Sequence, residues 1–331
     1  NDGLLIALIG DKADLSSQEK DDGFFEWVGQ RIDDYNPFHS RTFPTFRLWH
    51  LQGSMGWISD NQALMSFYEL DDPTPTELNI AKNNRRLVFT SQYSCDLFKS
   101  RSVDATYIPL GFDSHNFRVT DKKYFDDDRI VFNLCGKFEF RKHHAKILKA
   151  WAKKFGNDRK YYLQCTVYNS FLNAEVNNSL VSSALGGNRF FNINFLPPQE
   201  KNASYNDFLN SADIIIGMSG GEGWGLPEFQ SVALGKHGVI LDAHGYKGWA
   251  SEKNATLVPS SGKVDCVDNV FFKKGEQYNQ GKIYTWDEDN FISACEEAIK
   301  KRESSSVNEE GLKLQQEFTY SKTLDKILEV F

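Results

Sequence analysis

The sequence predicts an α/β protein built as two parallel-sheet domains that face each other across a cleft. Three observations lead there. Short apolar runs alternate with helix-period stretches from end to end, the pattern of parallel strands joined by crossover helices. The 331 residues suffice for about two domains of roughly 150 residues each. Hydrophobic residues make up 40% and charged residues 25% of the chain, an ordinary globular composition that excludes disorder and a collagen-like repeat.

The first domain is read over residues 1–117, with strands at the apolar runs Leu4–Gly10, Thr45–Leu51, Ala63–Tyr68, Leu87–Thr90 and Thr106–Pro109. Gly111-Phe112-Asp113 and the polar stretch from Thr120 to Asp128 have little apolar period and mark the linker. The second domain, 118–310, repeats the pattern with strands at Ile130–Cys135, Tyr161–Cys165, Phe190–Phe195, Ile214–Gly217, His237–Leu241 and Thr256–Val258. After Arg141 a helix carries Ala145, Leu148, Trp151, Ala152 and Phe155 at a spacing that buries one face on a sheet. A last amphipathic segment, 311–331, is expected to pack back on the first domain. Open parallel sheets bind ligands at the carboxyl ends of their strands, so the cleft between them is where function is sought.

Composition narrows what the cleft holds. Acidic residues outnumber basic ones 45 to 38, a net charge of −7, which argues against nucleic acid as a partner. The longest apolar run, Leu4 to Ile9, is far short of the roughly 18 residues of a membrane span, and no basic stretch precedes it. Peripheral contact with a membrane face stays open, since it leaves little trace in composition. The five cysteines are odd in number and lack a CxxC pair, which points to a reducing, cytoplasmic compartment. No metal site is expected: His143 and His144 are adjacent and face apart on a helix.

Two turns carry the chemistry. Strand Ile214–Gly217 runs into Ser219-Gly220-Gly221-Glu222-Gly223-Trp224-Gly225-Leu226-Pro227-Glu228-Phe229-Gln230, a strand, glycine loop and helix in sequence. Pro227 suits a first helical position and Gly235 the residue past the end. Free N–H groups and the positive dipole end there suit a phosphate, although a tight turn without ligand reads equally well. Cys135-Gly136-Lys137-Phe138-Glu139-Phe140-Arg141-Lys142-His143 places Lys137, Arg141 and Lys142 at another strand end, where a diphosphate needs neutralising.

At these turns the chain resembles the retaining glycosyltransferases of the large group-1 family with the two-lobed, Rossmann-like GT-B fold, whose carboxylate motif is Glu, seven residues, Glu. Glu222 to Gly235 is similar to their Glu-Gly-Phe-Gly-Leu-Pro run with its later Glu, Ala and Gly, and Gly136-Lys137 with Arg141-Lys142 to their basic turn. Thr90-Ser91-Gln92-Tyr93, Ile108 to Asp113 with Phe117, and Phe67-Tyr68-Glu69-Leu70-Asp71 resemble three further motifs, in the right order. The resemblance implies a hexosyltransferase-type enzyme of carbohydrate biosynthesis. It would move a sugar from a UDP-, GDP- or ADP-sugar to a hydroxyl acceptor such as a glycan or glycolipid, with no other cofactor required. It implies that Glu222 holds donor-sugar hydroxyls and that Lys137 and Lys142 bind the diphosphate. Arg141, Gly220, Gly221, Gly223, Trp224, Gly225, Leu226 and Gln230 would complete the donor site, with the N–H groups of Gly220 and Gly221 in the phosphate cradle and Trp224 packed beside the sugar.

The chain departs from the pattern at Gln230, where the family has its second Glu, and at His143, where relatives often have Gly. Glu228 is out of register and reads as a first-turn acid at the helix amino end. Gly10-Asp11-Lys12 is the nearest equivalent of a glycine loop in the first domain. Glu69, at a strand end, is expected in the cleft. His50, also at a strand end, reads equally as a site residue or a satisfied core histidine, while His237 and His244 read as structural. Lys82 to Arg86 reads as a solvated helix end. Alternatives to a transferase are a nucleotide-sugar epimerase or hydrolase, and a nucleotide-sugar-binding protein without turnover, the latter motivated by Gln230.

Overall fold

Four short strands form the first sheet in chain order, β1 (Thr45–Leu48), β2 (Gln62–Ser66), β3 (Arg86–Phe89) and β4 (Thr106–Tyr107), all parallel. The computed structural model describes residues 6–8, 14–35, 40–53 and 58–331. The strand expected at Leu4–Gly10 lies largely outside the described residues, and the Gly10-Asp11-Lys12 turn wholly so. Every residue of β2 is buried, as in a parallel strand covered on both faces. Helix α1 (Asp22–Asp33) precedes the sheet, with Asp21 as its N-cap. Helix α2 (Pro75–Asn83) starts where Thr74 and Glu77 cap each other's backbone N–H groups and Pro75 takes the first turn. Helix α3 (Gln92–Ser100) starts at Ser91, whose hydroxyl accepts from Ser94 N–H at 3.1 Å.

The second sheet has six parallel strands, β5 (Ile130–Gly136), β6 (Tyr161–Val167), β7 (Ile193–Phe195), β8 (Ile214–Gly217), β9 (His237–Leu241) and β10 (Thr256–Val258), in the order β10-β9-β8-β5-β6-β7. The chain winds outward through β6 and β7, then returns to lay β8 against β5 and winds the other way. The strand order therefore reverses between β5 and β8, and a crevice opens at their carboxyl ends. Helices α4 (His144–Phe155), α5 (Ala174–Ala184), α6 (Asn202–Asn210) and α7 (Leu226–Ala233) make the connections. Ile147, Leu148, Trp151 and Phe155 of α4 are buried against the sheet. Ala145, expected on that face, is exposed together with Lys149 one turn later, because the buried stripe starts at His144 and runs through Ile147, Leu148, Trp151 and Phe155.

Two segments cross between domains. Residues 259–286 leave β10 as an antiparallel pair, β11 (Gly262–Asp265) and β12 (Lys282–Thr285). Cys266, Phe272 and Ile283 from this excursion join Leu64, Tyr68, Leu70 and Phe89 in the first domain's core, so that core is not confined to residues 1–117. After α8 (Glu288–Ser304), the segment 311–331 is not one helix but is divided among α9 (Glu309–Leu312), α10 (Leu314–Glu317) and α11 (Tyr320–Leu328). The break falls at Phe318 and Thr319, where Phe112 N–H donates to the Phe318 carbonyl at 2.8 Å. Ile327 and Val330 cover Met65, Val88 and Ile108 of the first domain, and Thr323 Oγ1 donates to the Pro109 carbonyl at 2.9 Å.

Candidate active site

The site is built where β5 and β8 end. Gly136 closes β5 in the left-handed region (φ 107°), and a single turn over Phe140–Lys142 leads to His143, also left-handed (φ 56°), which starts α4. This tight return sends the buried Arg141 side chain into the gap between the domains. Its Nη2 lies 2.5 Å from Glu139 Oε1 and 3.1 Å from Glu69 Oε1, and its Nη1 lies 3.2 Å from Glu222 Oε1 and donates to the Gly221 carbonyl. Lys142 Nζ bonds the same Glu222 oxygen. Three carboxylates from three segments thus converge on two adjacent cations.

The charges set one another. Burial acts to raise the Glu222 carboxyl, but Lys142 and Arg141 outweigh it and hold it down at about 2. Burial raises Glu69, with Arg141 opposing. Arg141 is raised despite its burial, chiefly by Glu69, Glu222 and Glu139. Two of the carboxyls beside Arg141 are thus pushed in opposite directions, Glu222 down by its two cations and Glu69 up by burial.

A cavity of about 320 Å³ lies between the domains, walled by His50, Tyr68, Glu69, Lys137, Glu139, Phe171 and Phe271 among others. The fold thus brings together three of the predicted residues, His50, Glu69 and Lys137. His50, two residues past the end of β1, lines this cavity rather than a core, and its desolvation there, followed by the nearby Lys137 and Arg141, lowers its pKa. Lys137 Nζ sits 3.2 Å from Glu139 Oε2 and over the Phe271 ring at 4.2 Å. Arg141 lies one contact deeper, behind the wall residues Glu69 and Glu139, with Glu222 beyond it and Lys142 beyond Glu222.

The glycine loop differs from expectation. Gly220 N–H donates to the Arg141 carbonyl at 2.9 Å, so it is taken up within the protein and not free for a phosphate. The loop's glycines serve close packing instead. A Cβ at Gly221 would stand 2.1 Å from the Glu69 carbonyl oxygen, and one at Gly223 would stand 2.5 Å from the Phe67 ring. Gly225 (φ 80°) starts α7 against Tyr246. Thr90 Oγ1 from the first domain donates to the Gly223 carbonyl at 2.9 Å. Trp224 is also a correction: it is buried in the second domain's core against Phe229 and Phe318, not beside an opening. Leu226 is partly exposed at the start of α7, and Gln230 is buried one turn further on.

Three contributors were not assigned a site role from sequence. Glu139 bridges Lys137 and Arg141, and its place between two cations at intervals of two residues was a usable signal. His244 Nδ1–H donates to the Glu222 carbonyl at 2.5 Å and its ring packs on Tyr93, a pairing no local pattern announces. Glu228 stands in the first turn of α7 as expected, but it is buried, its Oε2 has no partner, and burial pushes its carboxyl up to about 7 against the pull of Lys142. His237 and His143 donate to the carbonyls of Ser305 and Tyr284 at 2.8 Å each. Among the described residues no helix is long and apolar enough to cross a membrane.

No protein-family model matches the chain, and no curated protein does either. Solved structures are similar to it in fold. The α,α-trehalose 6-phosphate synthase from Burkholderia multivorans superposes with a TM-score of 0.66 at 11% identity, over 94% of this chain and 77% of that one. Sucrose-phosphate synthase from Thermosynechococcus elongatus gives 0.63 at 15% identity, over 93% and 78%. Anabaena HepE, solved in complex with UDP and glucose, gives 0.57 at 15% identity, over 81% and 70%. Two parallel-sheet domains, a crevice at the β5–β8 reversal and these superpositions together make the fold of this chain the GT-B fold.

Proposed function

We propose that the chain is a retaining glycosyltransferase of the group-1 type, moving a sugar from a nucleotide-diphosphate sugar to a hydroxyl acceptor. The observation that carries the reading is the contact of Lys142 and Arg141 with Glu222 at the β5–β8 reversal of a GT-B fold. It joins the two cations that leaving-group stabilisation requires to the carboxylate that sugar binding requires. HepE, similar in fold, is described with UDP and glucose, which favours a UDP-sugar as first donor to try. The five free, buried cysteines favour a reducing, cytoplasmic compartment.

In this reading the donor diphosphate displaces Glu222 from Lys142 and takes charge from Lys142, Lys137 and Arg141. These cations then stabilise the negative charge that grows on the departing phosphate. Glu222, released, accepts from donor-sugar hydroxyls while His244 fixes its backbone. The acceptor hydroxyl enters from the cavity of His50 and Glu69, and its proton passes to the departing phosphate on the same face of the sugar. No protein nucleophile is needed.

One observation favours a second reading, a nucleotide-sugar-binding protein without turnover: Lys142, Arg141 and Gly220 N–H all already have protein partners. Nucleotide release from UDP-, GDP- and ADP-sugars, with and without pooled hydroxyl acceptors, separates the two. Acceptor-dependent release, lost in Glu222→Ala, is the expected result. Thermal stabilisation by one donor with no release supports the binding protein, and release without acceptor supports a hydrolase or epimerase.

A further inference from the structure

A second cavity, of about 590 Å³, lies beside the charged one, between the start of α4, helix α5 and the segment after β11, and the two share Glu139 and Phe271 as walls. Phe140, Leu172, Val176, Leu180, Val264 and Val270 supply much of its lining. Val176 and Leu180 stand one turn apart on one face of α5. Phe140, Val176, Val264 and Val270, from four separate segments, are each more than a third exposed around this one opening. Apolar side chains scattered singly over a surface need no explanation, but a ring of them around a cavity does.

The polar side chains on the walls indicate what the cavity excludes. Asn169 donates to the Phe138 carbonyl at 3.1 Å and accepts from Phe171 N–H at 3.1 Å. Asp268 accepts from the N–H groups of Val270, Phe271 and Phe272 at 2.8 to 2.9 Å. Lys146 is bound to Thr285 and to the Trp286 carbonyl, and His143 to the Tyr284 carbonyl. His144 donates to the Cys135 carbonyl at 3.1 Å, leaving its Nδ1, an acceptor, as the one buried atom of these side chains without a partner. A nucleobase or sugar entering here would give up its hydrogen bonds to water with almost nothing to replace them. A hydrocarbon chain has none to lose.

We propose that this cavity binds the hydrocarbon chain of an amphiphilic acceptor, whose hydroxyl-bearing head then reaches across Glu139 and Phe271 into the charged cavity. That the head is glycosylated rests on the transferase reading; that the chain binds does not. The test is calorimetric titration of the protein with hexyl, octyl and decyl glucosides, each held below its micelle-forming concentration. Each added methylene is expected to tighten binding about fourfold, so that each step in the series gains about fifteenfold. Val176→Trp and Val270→Trp, at positions 40% and 48% exposed that can accept a larger side chain without disturbing a core, fill the cavity and weaken octyl glucoside at least tenfold. Leu324→Trp, on α11 and 49% exposed, leaves it unchanged. Affinity independent of chain length, or unchanged in both cavity variants, overturns the proposal. So does adsorption to phosphatidylcholine vesicles without affinity for the monomeric glucosides. A steep chain-length series with no donor turnover would leave the proposal standing and remove only the transferase reading.

Discussion

Glu228 shows how one buried acid ties the site to stability. Its Cγ lies where a Cβ on Gly217 would come within 2.6 Å, so it is wedged under the end of β8, and its carboxyl is pushed up to about 7 by burial. A folded-state value above the unfolded one means that the stability it contributes is complete below about pH 4.3 and is lost as pH rises through 7. Glu228→Gln removes that loss. Thermal unfolding should find the variant more stable than the parent by roughly 2–4 kcal/mol at pH 8 and nearly equal to it at about pH 3.5. A gap of the same size at both pH values would mean that packing, and not ionisation, sets it. Glu222 behaves oppositely: held at about 2, its contribution is present above its unfolded value and disappears as pH falls toward 2. Lys137, Arg141, Lys142 and Glu222 were legible from their motifs, whereas His244 was not, because its role is a hydrogen bond to a backbone carbonyl 22 residues away.

Among the elements, the glycine loop before α7 matters most, and its role is mechanical. Gly221 leaves room for the Glu69 carbonyl, and through it for the whole β2 exit segment, to press on the second domain. Gly221→Ala should therefore cost about 3 kcal/mol, read as a lower urea midpoint. Gly29→Ala, in α1 where no atom lies within 4 Å of the new Cβ, should instead gain roughly 0.5–1 kcal/mol. Similar costs for both would remove the packing account of the loop. Strands β8, β9 and β10 run where the apolar runs predict, because strands buried on both faces are continuous in sequence. The β11–β12 pair gave no such signal: all four residues of β11 are exposed, so no apolar period marks it.

The two domains are stitched by segments exchanged between them. Phe272, far along the chain, is buried in the first domain's core, and Asn279 N–H donates to Glu77 of α2 at 2.9 Å. Asp71 and Lys263 pair across the same seam at 2.8 Å. Phe272→Ala should cost about 3–5 kcal/mol, and hydrogen exchange should show the loss in β2 and β3, not in the strands of the second sheet. Loosening confined to residues 259–286 would show the excursion to be an appendage instead of part of that core. An interface of this kind also limits how far the lobes can part, so donor entry under the proposed function depends on local rearrangement at Glu222 and Lys142 more than on wide opening.

The sequence by itself determined the class, the two parallel sheets, and the basic and glycine turns that end two strands of the second sheet. Those features are local: apolar runs, helix caps and turn residues act within a few positions of one another. That these two strands lie side by side at the reversal came from the sheet order. Only the tertiary structure decided that Gly220 N–H is already bonded, that Trp224 belongs to a core, that Glu69 and Glu139 meet on Arg141, and that residues 259–286 complete the first domain. Each of these depends on groups from distant segments meeting after the sheets are assembled, and contacts of that range leave no period or spacing in the chain.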